Sequence, residues 1–205
     1  EGTLPDERIK VTVGFYGAGG FSRIKGICEE ILRFAGIDNA KYVAVSDNPT
    51  FHPGRTAKIV LPDGTNLGIF GELHPIAREN YTFSCPVYIA ELDLGLIRDH
   101  SGAEKKYKPL PKFPAVSRDF SLVCDEEVEV GTLEEAMSSC GVKILESITL
   151  FDVYRGSQLP EGKKSVSFSV MLRAADHTLT VDEADKATKK ILGALEHKLG
   201  VTIRS

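Results

Sequence analysis

The chain has 205 residues, 42% of them hydrophobic and 26% charged, with a formal net charge of -4. That length holds one large domain or two small ones, and the composition is that of an ordinary globular protein. No apolar run is long enough to cross a bilayer, so no membrane partner is expected, and a protein that grips nucleic acid through bulk positive charge is excluded by the mild acidity.

The opening EGTLPDERIK is polar, lacks the apolar stretch of a signal peptide and does not begin with Met, as expected of a fragment of something longer. The four cysteines, at 28, 85, 124 and 140, form no Cys-x-x-Cys pair. They encode neither a zinc site nor a disulfide framework and are expected to be reduced thiols in a cytoplasmic protein.

IKVTVGF reads as a strand, followed by the glycine-rich FYGAGGFSRIKG and a helix from about Ile24 to Phe34. KYVAVS is the next strand. Asn48-Pro49 and His52-Pro53-Gly54 are expected in a turn, and AKIVL and LGIFGEL form a hairpin about Pro62-Asp63-Gly64-Thr65-Asn66. A short helix starts after His74, where Pro75 suits the first turn. CPVYIAELDL is a further strand.

Periodicity stops in HSGAEKKYKPLPKFP, which makes residues 101–113 the predicted linker between a domain at 1–100 and another at 114–205. Beyond it RDFSLVC is a strand. GTLEEAMSSCG is a helix with a predicted capping box at Thr132 and Glu135 and an end at Gly141. KILESITLFDVY sets Ile144, Glu146 and Ile148 against Leu145, Ser147 and Thr149. KKSVSFSVML sets Val166, Phe168 and Val170 against Ser165, Ser167 and Ser169, a serine face expected to be open to solvent. The last helix opens with Thr180 and Glu183, a second capping box, and VTIR is an edge strand. The order β-α-β-β-α-β is the split βαβ arrangement of a ferredoxin-like fold, with both helices on one sheet face.

Two motifs invite other chemistry. A dinucleotide fingerprint needs Gly-x-Gly-x-x-Gly and a later acid; Gly17 and Gly19 fit, Asp47 stands in for the acid, and Ser22 occupies the third glycine position. His52, His74 and Glu72 suggest metal ligands, yet no further ligand stands at useful spacing, and His-Pro pairs also mark turns and helix starts.

FHPGRTAKIVL, LGIFGELHP and YIAELDL, followed by FPAVSRDFSLV, LFDVYRG, LPEGKKSVSFSVMLR and HTLTVDE, resemble in order the closing part of the bacterial phenylalanyl-tRNA synthetase beta-subunit family. The resemblance implies an α+β chain: an antiparallel class II synthetase-like module without catalytic residues, then a ferredoxin-like domain that binds the anticodon stem-loop of phenylalanine tRNA. It further implies an alpha subunit that carries ATP, Mg and the ligase chemistry, in a heterotetramer of two alpha and two beta chains. No cofactor is expected in this fragment.

Asp152 and Tyr154 share a strand face and match the positions that read the anticodon in that family. A tyrosine ring can stack on an unpaired base, and a carboxylate can accept hydrogen bonds from a guanine edge. Arg155 begins the next loop, and Lys163, Lys164 and Ser165 start the neighbouring strand, where they can hold phosphates. Arg118 either binds RNA or pairs with a nearby carboxylate. Residues 104–205 carry about 15 Lys and Arg against about 16 Asp and Glu, so any RNA footprint has to be focused. The rival readings are a dinucleotide-dependent oxidoreductase built on Gly17, Gly19 and Asp47, and a ferredoxin-like domain that regulates by binding a small metabolite. A two-domain chain predicts that limited trypsin cuts at Lys105, Lys106 or Lys108 and leaves a folded C-terminal piece, detectable by mass spectrometry and circular dichroism.

Overall fold

The computed structural model describes residues 7–102, 107 and 109–204; the linker lysines 105, 106 and 108 lie outside the described residues. The chain divides into two compact units, Glu1–Tyr107 and Lys108–Ser205. The N-terminal unit contains β1 (Lys10–Tyr16), α1 (Gly20–Phe34), β2 (Lys41–Ala44), β3 (Phe51–Val60), β4 (Asn66–Leu73), α2 (Pro75–Asn80), β5 (Val87–Asp93) and α3 (Leu94–His100). Its strands lie in the order β1-β5-β4-β3-β2, and every neighbouring pair is antiparallel.

α1 buries Ile24, Cys28 and Leu32, one residue per turn, in a cluster with Phe70, Ala90 and Leu92 of the sheet. The helix ends where Gly36 takes φ 76°, a left-handed conformation that costs glycine little, and Ile37 N–H donates to Leu32 O at 2.9 Å. Burial pushes the Cys28 thiol up to about 12, so it stays protonated and inert.

Two sequence expectations change here, and one helix is added. α1 starts at Gly20, four residues before Ile24. His52-Pro53-Gly54 lies inside β3 instead of in a separate turn: Phe51 pairs with Leu73 and Thr56 with Gly71, so residues 52–55 swing out as a register shift. The Thr56 hydroxyl closes that excursion by donating to His52 O at 2.6 Å. α3 had no reading in the sequence; its cap is Asp93, the last residue of β5, whose Oδ1 accepts from Leu96 N–H at 2.9 Å.

The C-terminal unit contains β6 (Val116–Asp125), α4 (Val130–Ser138), β7 (Leu145–Tyr154), β8 (Lys163–Leu172), α5 (Val181–Leu199) and β9 (Thr202–Ile203), in sheet order β7-β8-β6-β9. Both helices pack on one face. Leu133, Ala136 and Met137 of α4 and Ala184, Ala187, Ile191 and Leu195 of α5 form one core with Leu122, Cys124, Val166, Phe168, Val170 and Leu172. Phe168, fully buried on the central strand, anchors it; truncation to Ala at such a position costs about 3–5 kcal/mol.

The predicted box at Thr132 does not form. α4 begins at Val130 with Glu129 as N-cap and no side-chain cap bond, because the turn closed by Val128 N–H to Asp125 O delivers the chain into the helix earlier. The helix also ends at Ser138, before Gly141. The serine face is not open as expected: Ser165 and Ser167 are buried, since small side chains on a central strand sink beneath their larger neighbours.

The box at Thr180 and Glu183 does form. The Glu183 carboxylate accepts from Thr180 N–H at 2.9 Å and from the Thr180 hydroxyl at 2.8 Å, while Thr180 Oγ1 accepts from Glu183 N–H. The Thr180 amide and hydroxyl, with a smaller contribution from His177, hold the Glu183 carboxyl down at about 2 against an ordinary 4.5. A depressed carboxyl stabilises above its unfolded value and loses that contribution as pH falls toward the folded one. Melting temperature should therefore fall between about pH 4.5 and 2, and Glu183→Gln should flatten that part of the profile. Thr180→Ala should cost about 1 kcal/mol at pH 7 in a urea titration.

Candidate nucleic-acid interface

The register of the C-terminal sheet assigns each side chain to a face. β8 pairs with β6 so that Ser165, Ser167 and Ser169 stand beside Val123, Ser121 and Asp119, away from the helices. Hydroxyls link the strands there: Ser121 and Ser167 are 2.8 Å apart, Ser117 and Ser169 3.1 Å.

β7 reaches this face through two irregularities. Its pairing to β8 skips one residue between Leu145 and Ser147 and another between Leu150 and Asp152. Leu145 and Ile148 therefore both join the core, which a strict alternation of 144, 146 and 148 against 145, 147 and 149 does not allow. The second bulge matters more. Ile148 and Val153 point to the helices, and the extra residue Phe151 turns Asp152 and Tyr154 to the opposite face, beside Ser167 and Ser165. If Phe151 paired regularly instead of bulging, a period of two running from Ile148 would place Asp152 and Tyr154 on the covered side.

Tyr154 is held at two points. The Arg204 guanidinium lies 4.8 Å from its ring centroid, and a Cβ at Gly156 would lie 2.6 Å from its Cζ. Arg204 is in turn fixed by donating from Nη2 to Gln158 Oε1 at 2.9 Å and from its backbone N–H to Ser121 O at 2.8 Å. Ser165, the cross-strand neighbour of Tyr154, is 1% exposed, and its hydroxyl is a buried side-chain group without a hydrogen-bond partner among the described residues. Such a group costs roughly 1–3 kcal/mol and calls for a partner.

The other residues singled out in the sequence separate. Lys163 Nζ pairs with Asp125 at 2.7 Å and Arg155 Nε with Glu126 at 2.7 Å, both exposed at the same end of the sheet. Lys164 is on the helix side of β8, buried, with Nζ donating to Glu126 O at 2.7 Å, and is not placed as a surface phosphate holder. Buried Ser165 is likewise out of reach of a surface phosphate. Arg118 lies on the helix side of β6 and pairs with Asp185 of α5 at 3.0 Å, away from Asp152 and Tyr154. Arg204, Gln158, Gly156 and the Phe151 bulge were missed. Alternation along VTIR puts Thr202 and Arg204 on one side, which is the only signal the sequence held for Arg204.

In the N-terminal unit the glycine loop serves packing. Gly17, Gly19 and Gly20 have φ of 83°, 130° and 66°, and Arg23 folds back over the Phe15 ring at 4.9 Å while Phe15 stacks on Tyr88 at 5.1 Å. The antiparallel pairing of β1 with β5 removes the oxidoreductase reading, since a dinucleotide crevice needs a parallel, doubly wound sheet. His52 Nδ1 accepts from Gly54 N–H, His74 Nδ1 accepts from Ile76 N–H, and Glu72 pairs with Arg55 at 2.6 Å, so each supposed metal ligand has a local partner.

Gly156→Ala should push the Tyr154 ring off Arg204 at little cost in stability, because the ring is the mobile end of its side chain. Changed aromatic NMR shifts of Tyr154 with a melting temperature within a few degrees of wild type are the expected result.

Residues 111–204 match the family model described as ferredoxin-fold anticodon binding domain, and residues 1–94 match that described as phenylalanyl tRNA synthetase beta chain CLM domain. The chain is 43% identical over 204 residues to the phenylalanine–tRNA ligase beta subunit of Clostridium acetobutylicum and 44% identical over 204 residues to that of Clostridium tetani, in each case with 100% of this chain and 26% of the relative covered. To that of Bacillus subtilis it is 38% identical over 185 residues, covering 90% of this chain and 23% of the relative. It thus spans about a quarter of the length of the curated relatives it matches. Neither family description fits an oxidoreductase or a metabolite-binding regulator, and both halves lead to one conclusion: the chain belongs to the phenylalanyl-tRNA synthetase beta-subunit family.

Proposed function

We propose that this chain is the non-catalytic C-terminal part of a phenylalanine–tRNA ligase beta subunit, and that the helix-free face of its C-terminal unit binds the anticodon stem-loop of phenylalanine tRNA. The observation that carries this is the grouping of Tyr154 and Asp152 on one sheet face with no helix above it, beside the small side chains of Ser165 and Ser167. An aromatic ring offers a stacking surface to an unpaired base, and the Asp152 carboxylate accepts from base N–H groups. At the rim, Lys163 and Arg155 sit in exposed ion pairs with Asp125 and Glu126. Exposed pairs of this kind are worth little, so a phosphate can replace the carboxylate. Lys164 and Arg118 have no RNA role in this reading.

The N-terminal unit acts as a class II synthetase-like module without chemistry of its own, supporting an alpha subunit that binds ATP and Mg and attaches phenylalanine to tRNA. The assembly is a cytoplasmic heterotetramer of two alpha and two beta chains. The relatives' printed name, phenylalanine–tRNA ligase beta subunit, supports the ligase and the alpha-subunit partner; the stoichiometry, the compartment and the ATP and Mg of the alpha subunit are proposed from the family resemblance.

In the assembled ligase, Tyr154→Ala should weaken cognate tRNA by about 1–3 kcal/mol, the range for one base stacked on an aromatic side chain. Asp152→Ala should chiefly reduce the preference for the cognate anticodon. Filter-binding titrations with cognate and anticodon-substituted tRNA measure both, and unchanged affinity and preference in both variants would sink the assignment.

A further inference from the structure

We propose that Arg204 is a positioning residue for base recognition: it holds the Tyr154 ring in its stacking orientation over the sheet and does not itself grip RNA phosphate. The proposal rests on the reading of this face as the anticodon site. Arg204 stands at the opposite edge of the sheet from Tyr154, on the same face. The register row runs Tyr154, Ser165, Val123, Thr202 across all four strands, and Arg204 follows Thr202 by two residues on the same side. Its guanidinium nevertheless reaches the ring at 4.8 Å, because the row between them holds only Ser165 and Val123.

Three fixed points define the guanidinium. The backbone N–H of Arg204 donates to Ser121 O, Nη2 donates to Gln158 Oε1 in the loop after β7, and Cζ lies over the ring, 4.8 Å from its centroid. Gly156 in that same loop leaves room for the end of the ring. A planar fork satisfies the Gln158 bond and the ring contact together; a lysine ammonium has no such plane. The ring is thus oriented before any base arrives, which lowers the ordering cost of stacking on it. The guanidinium is engaged on two sides, unlike the rim cations Lys163 and Arg155, which pair with the exposed carboxylates of Asp125 and Glu126.

A cation–π contact at a partly exposed site is worth about 0.5–1 kcal/mol, which corresponds to about a two- to fivefold change in affinity. In the assembled ligase, Arg204→Ala should weaken cognate tRNA by about that factor, with an unchanged salt slope and a smaller effect on anticodon-substituted tRNA. In a Tyr154→Ala background the same substitution should change nothing further. Arg204→Lys should stay closer to Arg204→Ala than to wild type. Gln158→Ala, confined to an exposed loop, should produce the same loss of discrimination at smaller size, which guards against a folding effect of the Arg204 variants.

An additive loss in the Tyr154→Ala background, with a salt slope reduced by about one unit and rescue by Lys, would make Arg204 a phosphate contact and overturn the proposal. Wild-type affinity in Arg204→Ala, with Tyr154→Ala impaired, would overturn it while leaving the anticodon reading intact. If Tyr154→Ala binds both tRNAs as wild type does, the anticodon reading itself fails and takes this inference with it.

Discussion

Antiparallel pairing of β8 to β6 on one edge and to β7 on the other fixes, residue by residue, which side chains of the C-terminal unit meet the helices and which face away. Because successive side chains alternate, Val166, Phe168, Val170 and Leu172 commit one face to the core and Ser165, Ser167 and Ser169 to the other. The large residues exclude water beneath α4 and α5. The small ones leave a shallow row over which the longer side chains of the flanking strands can lie.

β7 cannot follow that alternation from end to end and still serve both faces. Its early half must bury Leu145 and Ile148, and its late half must bury Val153 while presenting Asp152 and Tyr154. Two added residues reconcile these demands, at the cost of unpaired backbone on an edge strand. Bulges on an edge also interrupt the regular ladder that another strand would pair with, so the same irregularity that aims the site protects the sheet. The ion pairs around it follow from position: Arg118, on the covered face, ties β6 to α5, whereas Lys163 and Arg155 remain at the exposed end.

The N-terminal unit shows how close packing can imitate a functional motif. Glycines at 17, 19 and 20 suit a tight passage from β1 into α1, and Gly19 leaves space for the Arg23 stem, which a Cβ would meet at 2.6 Å. Gly71 is needed for a different reason, since its Cβ would press on the backbone of Arg55 and on Thr56 at 2.9 Å, where β3 returns from its excursion. A glycine pattern becomes a phosphate cradle only with the right sheet around it.

The sequence by itself determined the order of strands and helices in the C-terminal unit, the hairpin at residues 61–65, the cap at Thr180 and the sharing of one face by Asp152 and Tyr154. Each follows from contacts a few residues apart: a period of two, a glycine turn, a hydroxyl three residues from a carboxylate. The start of α4, the excursion at residues 52–55, the burial of the serine row, the separation of Lys164 and Arg118 from the site and the meeting of Arg204 with Tyr154 were decided by tertiary structure alone. A bulge has no signature in composition, and its effect is to reverse every later side chain. Arg204 and Tyr154 are brought together by two other strands, whose pairing no local pattern in VTIR or FDVYRG encodes.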